Sequence, residues 1–458
     1  MVQAKNSTSG YLALLAIGLT LLSSIFLKTS SPWGVGICAV GTSFCILATN
    51  NRRSMLLGGI ALFFCAYCLI GIPNFSARRG YMIPEIQTMF LFGLQVVVFS
   101  IFLSNWIMRD KKIPASNKSE KYNSDDYKIW RKSLILILLF PSFVALPYLI
   151  SLKGLSFLKD DRFGTDPIIH LSILIGFLPL SLSIYNMRVA KEANIAKDLL
   201  YYFIILWFIF GSIVLGYRNS LVGIMVCYIA ISMEKFSIRK VFPYAIIGAI
   251  LIVGIDIYRR TNSTSLLDLQ SLQEKYHATD IPQFFAGLHF TFREGFGISQ
   301  RLILNYGQSP YGIFFADLLT LLPGEQLSGG RLVANLAGST VQEGGLTTSL
   351  IGLSMFEFGL AGGCAFLALI SVMFSTMIGW QTPDDRLSEG LLMGIPTYEF
   401  LLLFHRGDMR VYSYFLLFSI VLVVYFRKSR LLRTSVRRKR KQAAFLRPSA
   451  HQSVSVTE

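Results

Sequence analysis

Residues 87–107 read QTMFLFGLQVVVFSIFLSNWI, a stretch without a single Asp, Glu, Lys or Arg. An α-helix needs about 20 consecutive apolar residues to cross the hydrocarbon core of a bilayer. Comparable apolar runs recur on both sides of this stretch, and only 15% of the chain is charged. We therefore predict an all-α polytopic membrane protein with about twelve transmembrane helices. The predicted spans are 10–27, 34–49, 54–73, 87–107, 133–151, 167–185, 199–215, 218–233, 241–258, 348–378, 391–405 and 411–426.

Lysine and arginine concentrate in alternate connectors between these spans. One set of connectors, together with both termini, holds 28 of the 43 basic residues. Because cytoplasmic loops of membrane proteins carry an excess of Lys and Arg, this split places both termini in the cytoplasm. It also accounts for the formal charge of +17 without a nucleic acid as partner.

The charge split makes a direct prediction of topology. We expect Lys118 and Lys439 to face the cytoplasm, and Gln273 and Gly329 to face the opposite side. Cysteines introduced at these four positions can be labelled with a membrane-impermeant thiol reagent in intact cells. Only those at 273 and 329 should react, and the other two should react after permeabilisation. A cytoplasmic signal at Gln273 would overturn the assignment.

One predicted outside connector, 259–347, is far longer than the others. Structureless loops of this length are uncommon, so we expect it to carry short helices of its own. Helical periodicity covers Ser265–Tyr276 and Phe292–Tyr306. The apolar run Tyr311–Leu322 lies between two prolines and suits an interfacial or re-entrant helix. The segment Gly324–Gly345 is rich in glycine and is predicted to be irregular.

These features divide the chain into four parts. Residues 1–258 form a membrane domain of nine spans, and 259–347 form the large extracytoplasmic loop. Residues 348–426 form a membrane domain with spans ten to twelve, and 427–458 form a basic, disordered cytoplasmic tail. The tenth span is long enough to tilt or to break near Gly359, Gly362 and Gly363.

Several common types of catalytic centre find no support in the sequence. The chain has no P-loop, no HExxH and no GxSxG motif. All six cysteines fall within apolar runs, and the CxxC of Cys65 and Cys68 has no second pair of ligands, which favours simple packing. We therefore predict no bound metal and no cofactor.

Charged residues near the predicted outer membrane boundary are the main candidates for chemistry. Arg218 lies between two spans whose connector is too short to reach far into solvent. Its guanidinium is expected at the outer mouth of a cavity, although snorkelling to lipid headgroups would also satisfy it. Glu357 and Glu399 lie within spans ten and eleven, where a charge is costly and usually functional or paired.

More candidates lie in the long connector and beyond it. His289 and Arg293 are four residues apart and share a face if this stretch is helical. As a set, the arginines form a candidate anion site, because the planar guanidinium suits phosphate. The other members of the candidate set are Arg301, Arg331, Glu343, Arg406 and Arg410; His405 closes the eleventh span beside Arg406.

The most specific pattern lies between Tyr306 and Gly363. It resembles the last large outside loop of the bacterial oligosaccharide repeat-unit polymerases, the Wzy-type O-antigen and capsule polymerases. A second resemblance is the junction Gly216-Tyr217-Arg218-Asn219-Ser220, similar to the family's Gly-Ser-Arg-like junction with Tyr where Ser is usual. The matching segments are Tyr306-Gly307-Gln308-Ser309-Pro310, Leu321-Leu322-Pro323-Gly324, Gly329-Gly330-Arg331, Glu343-Gly344-Gly345, Thr347-Thr348-Ser349-Leu350-Ile351-Gly352 and Glu357-Phe358-Gly359-Leu360-Ala361-Gly362.

The resemblance implies a glycosyltransferase that polymerises undecaprenyl-diphosphate-linked repeat units on the outer face of the bacterial cytoplasmic membrane. Its partners would be the lipid-linked donor and acceptor and membrane lipids, and it allows a chain-length regulator and a flippase as further partners. Arg218, Arg293 and Arg331 are the first candidates for binding the diphosphate, with Arg301, Arg406 and Arg410 next. The candidate bases are Glu343, Glu357 and His289.

Three other functions stay open at this point. An O-antigen ligase would use the same donor with a different acceptor, and a transporter or flippase of lipid-linked oligosaccharides would show internal repeats and broken helices in both halves. A metal-dependent lipid-linked sugar transferase would need Asp160 and Asp161, but Lys159 and Arg162 flank this pair and compensate its charge.

Overall fold

The computed structural model describes residues 2–49, 51–72, 83–109, 125–153, 167–192, 199–214, 218–232, 243, 246, 250, 283–319, 328–338, 346–379, 386–407 and 416–425. Within these ranges the chain forms helices and no strand. The helices are α1 (Val2–Lys28), α2 (Pro32–Ala48), α3 (Arg52–Gly71), α4 (Pro84–Arg109), α5 (Asp125–Lys153), α6 (Pro167–Leu174), α7 (Phe177–Glu192), α8 (Leu199–Val214), α9 (Arg218–Ser232), α10 (Gln283–Tyr306), α11 (Ile313–Leu319), α12 (Gly329–Leu336), α13 (Leu350–Gly379), α14 (Arg386–Arg406) and α15 (Leu416–Tyr425).

This architecture confirms the prediction of an all-α polytopic membrane protein. Among the described helices, six are long and apolar enough to cross a membrane. The six segments are Gly10–Lys28, Arg53–Gly71, Pro84–Met108, Leu134–Ser151, Leu171–Arg188 and Leu350–Ile378. The count of twelve stays a prediction; the predicted span 241–258 and the helix Ser265–Tyr276 lie outside the described residues, apart from positions 243, 246 and 250.

The helices pack around two apolar cores. The first core joins α1–α4 to α10 and α13, and the second joins α5–α9. Helix α14 belongs to both, because Phe400 and Phe404 lie in the first core whereas Tyr398 and Leu402 lie in the second. The carboxyl-terminal half of α14 therefore lies where the two groups of helices meet.

The helices of the long connector are part of the first core. Phe296 of α10, Phe314 of α11 and Val333 of α12 are all buried in it. The helical periodicity of Phe292–Tyr306 is confirmed by α10, and the short helix expected within Tyr311–Leu322 is confirmed by α11.

The prediction that Gly324–Gly345 is irregular was wrong for residues 329–336, which form α12. Ser328 is the N-cap of this helix, and its side chain accepts a hydrogen bond from the backbone N–H of Arg331. A capping serine satisfies one of the free N–H groups at a helix start and stabilises short helices. The apolar residues Leu332, Val333 and Leu336 then share one face of the helix and pack on the first core.

Two predicted spans are interrupted, for different reasons. The sixth span is divided at Ile175 and Gly176, where Leu178 N–H bonds to the Ile175 carbonyl. Pro179 has no N–H to offer that carbonyl, so a local tightening of the helix is expected there. The tenth span is broken at Gly359, whose φ of 69° and ψ of -174° lie far from helical values. The predicted break near Gly359 is therefore confirmed.

Candidate functional site

The segment Leu346–Ser349 lies between two glycines that let the backbone approach closely. A Cβ atom added at Gly295 of α10 would lie 2.9 Å from Ser349 N. A Cβ atom at Gly407, directly after α14, would lie 2.8 Å from the Ser349 carbonyl oxygen. Cβ atoms in proteins essentially never come within 3.0 Å of such atoms. Only glycine therefore allows the backbones to pack this closely. The end of α14, the segment Leu346–Ser349 and α10 thus meet in one place.

Helices α9 and α14 run antiparallel, which brings two predicted arginines to the same end. A Cβ atom added at Gly394 would contact Cys227 and Ile231, whereas one added at Gly223 would contact Tyr398. The order of the contacts is therefore reversed between the two helices. At about 1.5 Å rise per residue, the start of α9 and the end of α14 lie beyond the Gly223–Tyr398 contact on the same side. Arg218 begins α9 and Arg406 ends α14.

We call this place the Arg406 end, defined by the start of α9, the end of α14 and the segment Leu346–Ser349. Arg293 lies two residues before Gly295, so its backbone is here as well. The Leu346 N–H donates to the Gly330 carbonyl over 3.0 Å, which brings in Arg331 of α12. Four helices therefore each place a predicted phosphate-binding arginine at or beside the Arg406 end.

The remaining candidates are distributed differently. Arg331 and Arg301 have exposed side chains, and Arg301 lies two turns along α10 from Arg293. His289 lies on the same helix as Arg293, one turn earlier. For His289, Arg293 and Arg218, the structure describes the backbone but not the side chain. Glu343, Arg410 and the pair Asp160–Asp161 lie outside the described residues.

Glu357 is tied to the backbone of a neighbouring helix. Its carboxylate is 5% exposed and accepts hydrogen bonds from the Ile313 and Phe314 N–H groups at the start of α11. A bond from Ser309 N–H to the Phe356 carbonyl (3.0 Å) holds the same loop. Because both oxygens are engaged by N–H groups that have no other helical partner, the geometry favours an anchoring role over that of a base.

A neutral isostere separates these two roles. In Glu357→Gln, one oxygen becomes an NH2 group that faces a backbone N–H, which leaves buried donors unsatisfied. We expect the free energy of unfolding to fall by roughly 1–3 kcal/mol, seen as a lower melting temperature in detergent, while activity below that temperature persists. Glu85→Gln, at an exposed position of α4, is the matched control and should change neither property. Normal stability with abolished activity would instead make Glu357 a catalytic group.

A second cluster at the Arg406 end was not predicted as a unit. The hydroxyl of Tyr67 on α3 and Nδ1 of His405 on α14 are 2.9 Å apart. Tyr67 is 2% exposed, and Glu294 of α10 is close enough to act on it electrostatically. His405 is half-buried. A tyrosine inside an apolar run carries no sign of chemistry, so the contact becomes visible only in the folded chain.

Glu399 is the second acid of the predicted eleventh span. It is 3% exposed, and its Oε1 accepts no hydrogen bond. Arg406, two turns further along α14, interacts with it electrostatically. Helical side chains lean towards the amino terminus of their helix, so the long side chain of Arg406 is directed towards Glu399.

Among the residues that the structure describes, no group of three or more His, Cys, Asp and Glu side chains could hold a metal ion. The chain matches no family model, no curated protein and no solved structure.

Proposed function

We propose that this membrane protein is a glycosyltransferase that joins lipid-diphosphate-linked oligosaccharide repeat units into a polysaccharide. The observation that carries the proposal is the gathering of Arg218, Arg293, Arg331 and Arg406 at or beside one end of the helix bundle. They come from four separate helices, so this grouping is a property of the fold and not of one basic stretch of sequence.

The chemistry of such a transfer suits a group of arginines. The bond between the anomeric carbon and the diphosphate breaks, and the lipid diphosphate leaves with the electron pair. Guanidinium groups at a partly dehydrated site stabilise the charge that develops on the leaving group. The hydroxyl of the acceptor glycan forms the new bond and must lose a proton to a base. In this proposal the arginines do the work that a divalent cation does in other transferases.

The donor is proposed to be an undecaprenyl-diphosphate-linked glycan, and the acceptor a second such molecule. This is supported by the resemblance of Tyr306–Gly363 to repeat-unit polymerases and by the positive-inside assignment, which predicts that the Arg406 end lies outside the cytoplasm. The large connector contributes directly, because α10 and α12 supply two of the four arginines.

Transport of lipid-linked oligosaccharide is the second candidate function. The helix breaks at 175–176 and at Gly359 lie in the two halves of the chain, as that function predicts. Of these two breaks, only the one at Gly359 has a glycine with non-helical backbone angles. The carboxylate of Glu357, two residues earlier, holds this part of the helix against α11. The two interrupted helices thus differ in construction, which favours the polymerase.

The surface polysaccharide of a strain lacking the gene distinguishes the candidates. On a gel, loss of a polymerase should leave single repeat units attached at the surface and remove the ladder of longer chains. Loss of a ligase should remove all attached glycan, and loss of a transporter should trap the lipid-linked donor inside the cell. Restoration of the ladder by the wild-type chain completes the experiment, whereas a mutant with normal ladders would refute the proposal.

A further inference from the structure

We propose that His405 is the base that accepts the proton of the acceptor hydroxyl, and that Tyr67 is its positioning residue. This inference rests on the proposed glycosyl transfer and names the group that this reaction requires. It is carried by the contact of 2.9 Å between His405 Nδ1 and the Tyr67 hydroxyl at the Arg406 end.

The surroundings hold the imidazole ring in one orientation. The ring of Tyr67 meets that of His405 edge to face, with centroids 5.7 Å apart and an interplanar angle of 81°. Tyr67 itself is packed against Phe296 and Phe404, with ring centroids at 5.5 Å and 5.9 Å. Tyr67 is almost fully buried and His405 is half-buried, so the tyrosine anchors the pair in the core.

The contact occupies Nδ1, so the proposed base is Nε2, in the tautomer in which Nδ1–H is the donor. When Nδ1–H donates to the Tyr67 oxygen, Nε2 carries no proton and can accept one. The acceptor hydroxyl gives its proton to Nε2 while its oxygen bonds to the anomeric carbon of the donor. The bond from that carbon to the diphosphate breaks at the same time, and the electron pair leaves with the lipid diphosphate. The imidazolium then releases its proton to water.

The charges around the pair fit this assignment. On the packed elements, Glu294 of α10 acts electrostatically on Tyr67, and the buried thiol of Cys68 follows Tyr67 on α3. Arg406 and Glu399 lie on the helix of His405 itself. The segment Leu346–Ser349 contributes no ionisable side chain. The carboxylate of Glu294 stabilises the positive charge that the imidazole gains, whereas the neighbouring arginines act on the leaving group.

Two substitutions of His405 separate catalysis from packing. In His405→Asn, the amide nitrogen replaces Nδ1 and keeps the bond to Tyr67, but nothing replaces Nε2. In His405→Gln, the amide nitrogen extends towards the position of Nε2. If His405 has only a structural role, His405→Asn should be tolerated. If His405 is the base, both variants should lose about 100-fold or more in kcat for chain extension, with little change in KM for the donor.

The test is the pH profile of kcat for purified protein supplied with undecaprenyl-diphosphate-linked repeat units. In the wild type, kcat should fall on the acidic side as the imidazole becomes protonated, and the His405 variants should lose this limb. Tyr67→Phe should keep the limb but move its midpoint, with a loss of about 10-fold in kcat, since it only positions the ring. His170→Gln, on α6 in the other group of helices, is the control and should behave as wild type.

Each outcome decides between the two proposals. If wild type extends chains and His405→Asn does so equally with an unchanged acidic limb, His405 is not the base while the proposed function stands. Loss of the limb in His289→Gln instead would assign the role to that residue. If wild type makes no polymer, the proposed function and the base assignment fall together.

Discussion

Replacing Arg218 is expected to have the largest effect on activity. Arg218→Ala should abolish chain lengthening, and Arg218→Lys should reduce its rate by roughly one to two decades, which corresponds to the loss of about 1.5–3 kcal/mol from a charge-assisted hydrogen bond. Lysine keeps the charge but not the planar fork that binds two phosphate oxygens at once. A larger loss is expected if the contact forms mainly in the transition state. The measurement is the length distribution of the polysaccharide ladder at equal protein abundance in the membrane.

A second arginine supplies the control for this comparison. Arg386 begins α14, at the opposite end of that helix from Arg406. Arg386→Lys should therefore leave the ladder unchanged. Wild-type ladders from both Arg218 variants would reject a role in binding diphosphate and would leave snorkelling to lipid headgroups as the explanation of this residue.

Gly407→Ala is expected to have the largest effect on stability. Gly407 has a φ of 83°, and an added Cβ would lie 2.5 Å from Thr348 Oγ1 and 2.8 Å from the Ser349 carbonyl oxygen. Left-handed backbone and overpacking together should lower the free energy of unfolding by roughly 2–5 kcal/mol. Because this contact joins the end of α14 to the segment Leu346–Ser349, chain lengthening should fall with the melting temperature in detergent.

Two other glycines separate the causes of this loss. Gly338 has a φ of 64° but nothing within 4 Å of an added Cβ, so Gly338→Ala tests the backbone strain alone. Gly18, in the middle of α1, has neither feature, and Gly18→Ala should be neutral or slightly stabilising. We expect the melting temperature to be highest for Gly18→Ala, lower for Gly338→Ala and lowest for Gly407→Ala. Equal melting temperatures for Gly407→Ala and wild type would show that Gly407 does not approach Thr348 and Ser349 this closely.

Local patterns in the sequence predicted several elements well. The apolar run 87–107 is part of α4, and the glycines of the tenth span predicted the break that occurs at Gly359. The periodicity of Phe292–Tyr306 predicted the later part of α10. In each case the signal lies within one stretch of chain, because helix formation and burial in lipid depend on local composition and period.

Other features depend on contacts between distant parts of the chain or on competing local signals. Helix α12 was missed because the glycines of Gly324–Gly345 outweighed the capping serine Ser328. The pair of Tyr67 and His405 was missed because 338 positions separate these residues in the sequence. Glu357 was predicted as a candidate base, and its hydrogen bonds to the start of α11 appear only in three dimensions.

We propose that the arginines gathered at the Arg406 end support glycosyl transfer from a lipid diphosphate. The most direct measurement uses the purified protein in vesicles with undecaprenyl-diphosphate-linked repeat units and EDTA. We expect a ladder of products that differ by one repeat unit, with one undecaprenyl diphosphate released for each new bond. Movement of the lipid-linked glycan across the bilayer without new glycosidic bonds, or a complete loss of activity in EDTA that a divalent metal restores, would contradict this account.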